Sequence, residues 1–188
     1  MTYAIKSVMY DELGRVIEEK FNQHDGSLGQ GGNHHMAILR YRYSERNNYV
    51  SDILFFDTDS ILQAHLHSIV EKGVITKHRI TDENGKLKSM YLSGFTDTKY
   101  AMRTSLFDEY GRNIMSTYYD EDGNPGDIEE GFATLLNSYD DKGNVIKQEL
   151  FDKNGDAVHG KIAKWHKRIV KYNKLRLIEE EAFFDENG

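Results

Sequence analysis

Short apolar-rich segments of about seven residues recur along this chain, and polar turns separate them. The segments 113–119 and 145–151 are clear examples, each bounded on both sides by Asp, Asn and Gly. Seven residues between two turn signals is the usual length of a β-strand and is short for a helix. The pattern therefore predicts a succession of strands joined by tight turns.

The turns share one phrase, in which an aromatic residue is followed by Asp, two variable residues and Gly. The six copies are 10–14, 107–111, 119–123, 139–143, 151–155 and 184–188. From Asp108 onward, with Asn173 taken as a decayed copy, the acidic positions are spaced by 12, 20, 12, 21 and 12 residues. The spacing predicts a repeat of about 32 residues that contains two turns.

Asp and Gly have separate roles in such a turn. In a type I turn, Asp is favoured at the first position because its carboxylate accepts backbone N–H groups ahead of it, and Gly is favoured at the fourth. There a positive φ forms the bulge that joins two antiparallel strands. Repeat starts near 10, 43, 81, 107, 139 and 172 predict about six such units.

One segment, 60–72, departs from this pattern. Ser60 opens a capping-box phrase, apolar Leu62, Leu66, Ile69 and Val70 follow at helical spacing, and Gly73 stands where a C-cap would. The sequence therefore predicts one short helix over 60–72.

The predicted fold is mainly β, an antiparallel β-hairpin repeat array that forms an open, twisted or spiral sheet. We expect one array over 1–188, with degenerate repeats and the helix in 1–97 and regular repeats in 98–188. Because the last phrase, 184–188, opens a further repeat, we also expect the chain to be part of a longer protein.

The aromatic-Asp-x-x-Gly phrase followed by Asn or Arg resembles the YD repeats of bacterial RHS-type proteins. The stretches 10–17, 107–114 and 139–146 carry the resemblance. That family uses long arrays of β-hairpins as a spiral shell or stalk within large secreted or surface proteins, including toxin carriers. The resemblance implies a noncatalytic scaffold, although a period near 32 residues departs from the shorter YD repeat. The phrase 84–89 is also similar to one found in antitoxin-like bacterial repeat proteins.

Composition excludes several classes of function. The absence of Cys excludes disulfides, thiol catalysis and thiolate metal sites. A formal net charge of −7 argues against nucleic acid as a partner. No apolar run is long enough to span a membrane, and 1–18 shows no secretion signal, so the compartment stays open.

Three local patterns are candidates for ligand sites, and each has a simpler explanation. The acidic turn 120–127 fails the EF-hand template, because Pro125 and Gly131 fall at its sixth and twelfth positions. The glycine-rich stretch 26–32 lacks the strand-to-helix context of a phosphate loop and reads as a connector.

Histidines are the third candidate. In a hairpin that turned near 72–73, His67 would face His78 and His65 would lie on the same face, which would place three imidazoles around a zinc ion. On the predicted helix, His65 and His67 would point about 200° apart. Because the capping signals favour the helix, we predict neither a metal nor a cofactor.

The stretch 161–176 is basic and contains two large aromatic residues. We predict Trp165, Tyr172, Lys164 and Arg168 as binding residues for an acidic partner or a sugar face. Charge pairing with the glutamates at 179–181 on a neighbouring strand is the structural alternative. The recurring Tyr and Phe before each Asp are expected to form an internal ladder between hairpins.

No nucleophile stands beside a base at a recognisable spacing, so an enzyme is disfavoured. The leading hypothesis is a noncatalytic β-repeat scaffold of a larger bacterial protein that binds protein or glycan, with edge-to-edge self-association possible through open strands. One alternative is a small cytoplasmic immunity or antitoxin-like protein. A third is a metal-dependent enzyme built on His65, His67 and His78.

Overall fold

The computed structural model describes residues 5–31, 36–45, 48–92 and 96–187, and it is mainly β. The chain divides into two compact units, 1–97 and 98–188. Within each unit, six of the described strands are antiparallel neighbours that lie side by side in sequence order. The prediction of an antiparallel hairpin array that forms an open sheet is confirmed.

The first unit is a meander in which every strand pairs with its neighbours in sequence. Its strands are β1 (Ile5–Tyr10), β2 (Val16–Asn22), β3 (Ile38–Tyr43), β4 (Val50–Phe56), β5 (Leu62–Glu71) and β6 (Val74–Thr81). Two further strands, β7 (Met90–Leu92) and β8 (Thr96–Tyr100), come next along the chain.

The second unit repeats the meander. Its strands are β9 (Met102–Phe107), β10 (Asn113–Tyr119), β11 (Thr134–Tyr139), β12 (Val145–Phe151), β13 (Lys167–Tyr172) and β14 (Ile178–Phe184). The hairpins among the described residues include β1–β2, β3–β4, β5–β6, β9–β10, β11–β12 and β13–β14, and a tight turn also joins β4 to β5. The repeat predicted from the turn phrase is therefore present as a structural unit.

The turn phrase folds as its residue types predict. At the β11–β12 corner, Gly143 N–H donates to the Asp140 carbonyl at 3.1 Å, which closes a type I turn, and Gly143 has φ of 83°. The Asp140 carboxylate accepts the backbone N–H groups of Lys142 and Asn144 at 2.9 and 2.8 Å. Asn173 makes the same two bonds, with Arg176 at φ of 63° in the glycine position, so the decayed copy is confirmed.

The alternating 12- and 20-residue spacing has a structural cause. Successive turns of a meander lie at opposite ends of the strands, so a 12-residue step is one strand plus one turn. After every second turn the chain makes an excursion before it re-enters the sheet. In the second unit, Gly126 N–H donates to the Tyr118 carbonyl and Tyr118 N–H donates to the Ala133 carbonyl. Residues 119–133 therefore leave the sheet and return to it beside the same residue, Tyr118.

The helix predicted over 60–72 is wrong, because this segment lies in β5. Ser60 has φ of 63° and occupies the glycine position of a turn that begins at Asp57, so its capping-box phrase is a hairpin corner. Leu62, Leu66 and Val70 are four residues apart, and a spacing of four fits one face of a strand as well as a helix. Gly73 is not a C-cap but the second residue of a two-residue hairpin loop.

Strand alternation separates a buried face from a polar face in the first unit. Leu39, Phe55 and Ala64 are in register across β3, β4 and β5, and all three are buried. The residues that alternate with these along each strand point to the other face of the sheet. That face carries a set of charged and imidazole side chains. That set is Arg40, Arg42, Asp52, His65, His67 and Arg79.

Candidate functional site

Three tyrosines at the last strand position before a hairpin turn connect successive hairpins. The hydroxyl of each of the three donates to a backbone carbonyl at the start of the second strand of the preceding hairpin. The pairs are Tyr43 with Val16 at 2.8 Å, Tyr139 with Asn113 at 2.8 Å and Tyr172 with Val145 at 3.2 Å. Burial raises the pKa of Tyr139 above its ordinary value of 10.0. The internal aromatic ladder predicted from sequence is present at Tyr139 and, before the decayed copy Asn173, at Tyr172, while Tyr43 extends the ladder to a turn that begins with Ser44.

Arginine reinforces two of these contacts. Arg112, at the exit of the β9–β10 turn, pairs with Asp108 at 2.6 Å and donates to the Asp140 carbonyl of the next turn at 2.9 Å. Its guanidinium also lies 4.9 Å from the centroid of the Tyr139 ring. Arg15 lies over Tyr43 in the same way, at 4.5 Å. In both cases, an Asp–Arg pair at the turn of one hairpin packs on the tyrosine at the turn of the next hairpin. We call this arrangement the turn staple.

The structure places the four predicted binding residues around β13. Lys164 is exposed in the turn before the strand, where it has φ of 59°. Trp165 is half-buried, with its ring centroid 6.5 Å from that of Phe183. Tyr172 belongs to the ladder, at the far end of β13 from Trp165. The strand β13 starts at Lys167, after a turn at 161–163.

Arg168 belongs to a chain of polar side chains that crosses the second unit. Its Nε donates to Glu181, so the predicted charge pairing with the glutamate strand is present. The chain of contacts runs from Glu181 to Arg168 at 2.5 Å, Arg168 to Gln148 at 2.8 Å, Gln148 to Asn137 at 2.9 Å and Asn137 to the Asn113 carbonyl at 3.1 Å. Arg168 is therefore engaged inside the sheet, and a role in binding a partner stays a prediction.

His65 and His67 lie together on the polar face, and His78 does not join them. The β5–β6 loop is the two residues Lys72 and Gly73, both with positive φ, as in a type I′ turn. A bulge then shifts the register by one, so that His67 pairs with Arg79 and Ser68 pairs with His78. A one-residue shift moves a side chain to the other face of the sheet, and His78 is buried there.

Asp52 takes the place that His78 was expected to fill. It lies directly opposite His67 across the β4–β5 pair. Its Oδ1 atom is 2.6 Å from His65 Nε2 and 2.8 Å from His67 Nδ1, and Ser51 donates to its Oδ2 atom at 2.8 Å. Burial works to raise the pKa of Asp52, but the hydrogen bonds from His67, His65 and Ser51 outweigh burial and hold it below the usual range.

This cluster forms because β4 and β5 have no excursion between them. The Asp57 turn joins them directly, so they pair from Asp52–His67 to Phe56–Leu62. Asp52 was missed from sequence because the segment after it was read as a helix. The signal that could have found it is Asp57 itself, since Phe56-Asp57-Thr58-Asp59-Ser60 is the turn phrase with Ser in the glycine position.

The two other ligand patterns behave as turns. Asp120 Oδ1 accepts the backbone N–H groups of Asp122 and Asn124 at 3.0 and 2.9 Å, as in the other corners. Gly26 closes a turn with φ of 84°, and Gly29 N–H donates to the Phe21 carbonyl. The rest of the glycine-rich stretch, at Gly32, and the adjacent His34 and His35 lie outside the described residues.

Apolar side chains are exposed on the strands at two sheet edges. On β1, Ile5 and Met9 are 54% and 53% exposed, and on β14, Ile178 and Phe183 are 53% and 55% exposed. Within the residues that the structure describes, β1 pairs only with β2 and β14 only with β13. Backbone groups on the outer edges of both strands are therefore open to a further strand.

No protein-family model matches the chain, and no curated protein sequence matches it. Solved structures do match. The TcdB2-TccC3 crystal structure matches over 97% of this chain and 10% of that chain, with 12% identity and a TM-score of 0.51. The Photorhabdus luminescens Tc holotoxin pore with a TccC3 mutation matches over 97% and 10%, with 14% identity and a TM-score of 0.49. The TcdB2-TccC3-Cdc42 structure matches over 96% and 10%, with 13% identity and a TM-score of 0.48.

This chain thus spans about a tenth of the length of the chains it matches. At 12% identity, the TcdB2-TccC3 match shows a shared fold. Among the described residues, no helix has the length and apolar character needed to cross a membrane.

Proposed function

We propose that this chain is a noncatalytic β-hairpin scaffold segment of a larger polypeptide, and that its edge strands pair with further protein strands. The observation that carries the proposal is the exposure of Ile5, Met9, Ile178 and Phe183 on β1 and β14. An exposed apolar edge strand is an aggregation hazard unless another strand or element covers it. Additional hairpins of the same polypeptide would cover it with the least cost in association entropy.

The use of side chains inside the chain also favours a scaffold. The turn aspartates accept backbone N–H groups, the ladder tyrosines donate to carbonyls, and Arg112 holds the next turn. These are groups that an enzyme or a sugar-binding protein would direct at a ligand. Tyr139 and Tyr43 carry a guanidinium over the ring, so their faces are not open platforms for a sugar. We therefore favour protein over glycan as the partner.

The match to TcdB2-TccC3 supports the same proposal at the level of fold. In that structure the same arrangement of strands is found within a much longer chain, of which this chain covers 10%.

Hydrogen exchange tests the proposal. We would compare the 188-residue chain with the polypeptide that the complete reading frame encodes. We expect the outer amides of β1 and β14 to exchange at least about tenfold more slowly in the longer polypeptide, with the amides of β12 as an internal control that does not change. A reading frame that encodes only these residues as a monomer, or equal exchange in β1 and β14, would refute the proposal.

A further inference from the structure

We propose that Asp52, His65 and His67 form a binding site for a divalent transition-metal ion, with Zn²⁺ as the probe. The three side chains come from two adjacent strands and share the polar face of the first unit. One nitrogen from each imidazole and one carboxylate oxygen lie within 4.8 Å of one another. This inference does not depend on the scaffold proposal, because it concerns a different face and different residues.

The set of donor atoms suits zinc and its neighbours. Two imidazoles and one carboxylate are borderline ligands that bind Zn²⁺ or other late first-row ions better than Ca²⁺ or Mg²⁺. Donor atoms about 2.0–2.1 Å from a tetrahedral ion are roughly 3.3 Å apart. The distances from Asp52 Oδ1 to His65 Nε2 and His67 Nδ1 are 2.6 and 2.8 Å, so the cluster opens by about half an ångström to admit the ion.

The same two nitrogens define what binding changes chemically. In the metal-free cluster each nitrogen carries the hydrogen that it donates to Asp52. Coordination requires the lone pair at that nitrogen, so a neutral ring moves its proton to its other nitrogen through solvent, and a protonated ring releases one proton. His65 would then coordinate through Nε2 and His67 through Nδ1.

The strands and their neighbours hold the ligands in position. Asp52 lies opposite His67, and alternate residues on a strand share a face, so His65 and His67 project together. The bond from Ser51 to Asp52 Oδ2 fixes the carboxylate and leaves Oδ1 for the ion. The side chains of Asp52, His65 and His67 are 16%, 30% and 48% exposed, which leaves room for water as a fourth ligand.

Two arginines set an upper limit on affinity. Arg42 lies opposite Asp52 on β3, and Arg79 lies opposite His67 on β6. Both side chains are exposed, and Arg79 donates to the Gly85 carbonyl at 3.3 Å, which directs it along its own turn. Their positive charge opposes that of the metal, so we expect weaker binding than at a closed, buried zinc site.

Calorimetry on protein without an affinity tag tests the site. We expect one Zn²⁺ per chain, and at least about a tenfold loss of affinity in each of His65→Gln and His67→Gln. Asp52→Asn should weaken binding as well, because it removes the anionic ligand. The matched control is His24→Gln, which removes an exposed imidazole in a turn and should leave the affinity unchanged.

Imidazole ¹⁵N spectra of the wild-type protein keep the test decisive if a variant fails to fold. Zn²⁺ should shift His65 Nε2 and His67 Nδ1 and leave His24 and His159 unmoved. The absence of binding, or binding that shifts other histidines and survives both glutamine variants, would overturn the proposal.

Discussion

The carboxylate of each turn aspartate accepts backbone N–H groups that the hairpin corner leaves without a partner. The bond from the Arg15 backbone N–H lowers the pKa of Asp11, the bond from the Asn144 side chain lowers that of Asp140, and the bond from the Asp156 N–H lowers that of Asp152. A group whose pKa is lower in the folded state stabilises the fold above its unfolded pKa, and the contribution is lost as pH falls through the folded value.

This linkage predicts acid sensitivity that starts below the ordinary aspartate value of 3.8. Asp140→Asn should keep the accepting oxygen and lose the titration, as Asn173 does in the native sequence. Urea unfolding between about pH 5 and pH 2 should therefore show a smaller loss of stability in Asp140→Asn than in the wild type. An equal loss would mean that the turn carboxylates are not the titrating groups.

A second prediction concerns the residue at the fourth position of the turn. Ser60 and Arg176 occupy it with φ of 63°, a conformation that costs an L-residue energy and glycine very little. Ser60→Gly and Arg176→Gly should each raise the free energy of unfolding by about 0.5–1 kcal/mol.

Gly143→Ala is the reverse experiment. A Cβ at Gly143 meets nothing within 4 Å, so its cost of about 1 kcal/mol is conformational alone. Chemical denaturation measures all three variants. Destabilisation by both glycine substitutions would contradict the assigned turn geometry.

Between elements, the ladder tyrosines and the turn staple join one hairpin to the next. Tyr139→Phe removes only the hydroxyl that donates to Asn113, and it should cost about 1 kcal/mol. Tyr10 occupies the same turn position on β1 with 58% exposure, so Tyr10→Phe is the matched control and should change stability by less than about 0.5 kcal/mol. Equal effects of the two substitutions would rule out the ladder as a source of stability.

The staple itself can be measured as a coupling energy. A double-mutant cycle with Arg112→Met and Tyr139→Leu isolates the contact between the guanidinium and the ring, which are 4.9 Å apart. We expect a coupling of about 0.5–1 kcal/mol, as for a partly exposed cation–π pair. A coupling near zero would show that Arg112 does not stabilise the fold through the Tyr139 ring.

At the scale of the whole molecule, the repeat could be predicted and the exceptions to it could not. The turn phrase predicted the corners at Asp108, Asp120, Asp140 and Asp152 because Asp and Gly have fixed roles there. The turn phrase did not predict the structure of 60–72, because the turn before this segment has Ser60 in place of Gly. Its apolar residues are four apart, and that spacing fits a helix as well as a strand.

The His65–Asp52 contact escaped prediction for a further reason. Its position depends on the directly joined β4–β5 pair, and the exclusion of His78 depends on a bulge. The bulge has no sequence signal of its own, and the direct join is marked only by the altered turn phrase at Asp57.

We conclude that the chain is built from like hairpins, and that a tyrosine hydroxyl joins three of them to the preceding hairpin of the same unit. Nuclear Overhauser effects on the 188-residue chain test this conclusion. We expect contacts of the Tyr43 ring with Arg15 and Val16, of the Tyr139 ring with Arg112 and Asn113, and of the Tyr172 ring with Val145. Helical chemical shifts at the turn aspartates, or the absence of these contacts between hairpins, would contradict it.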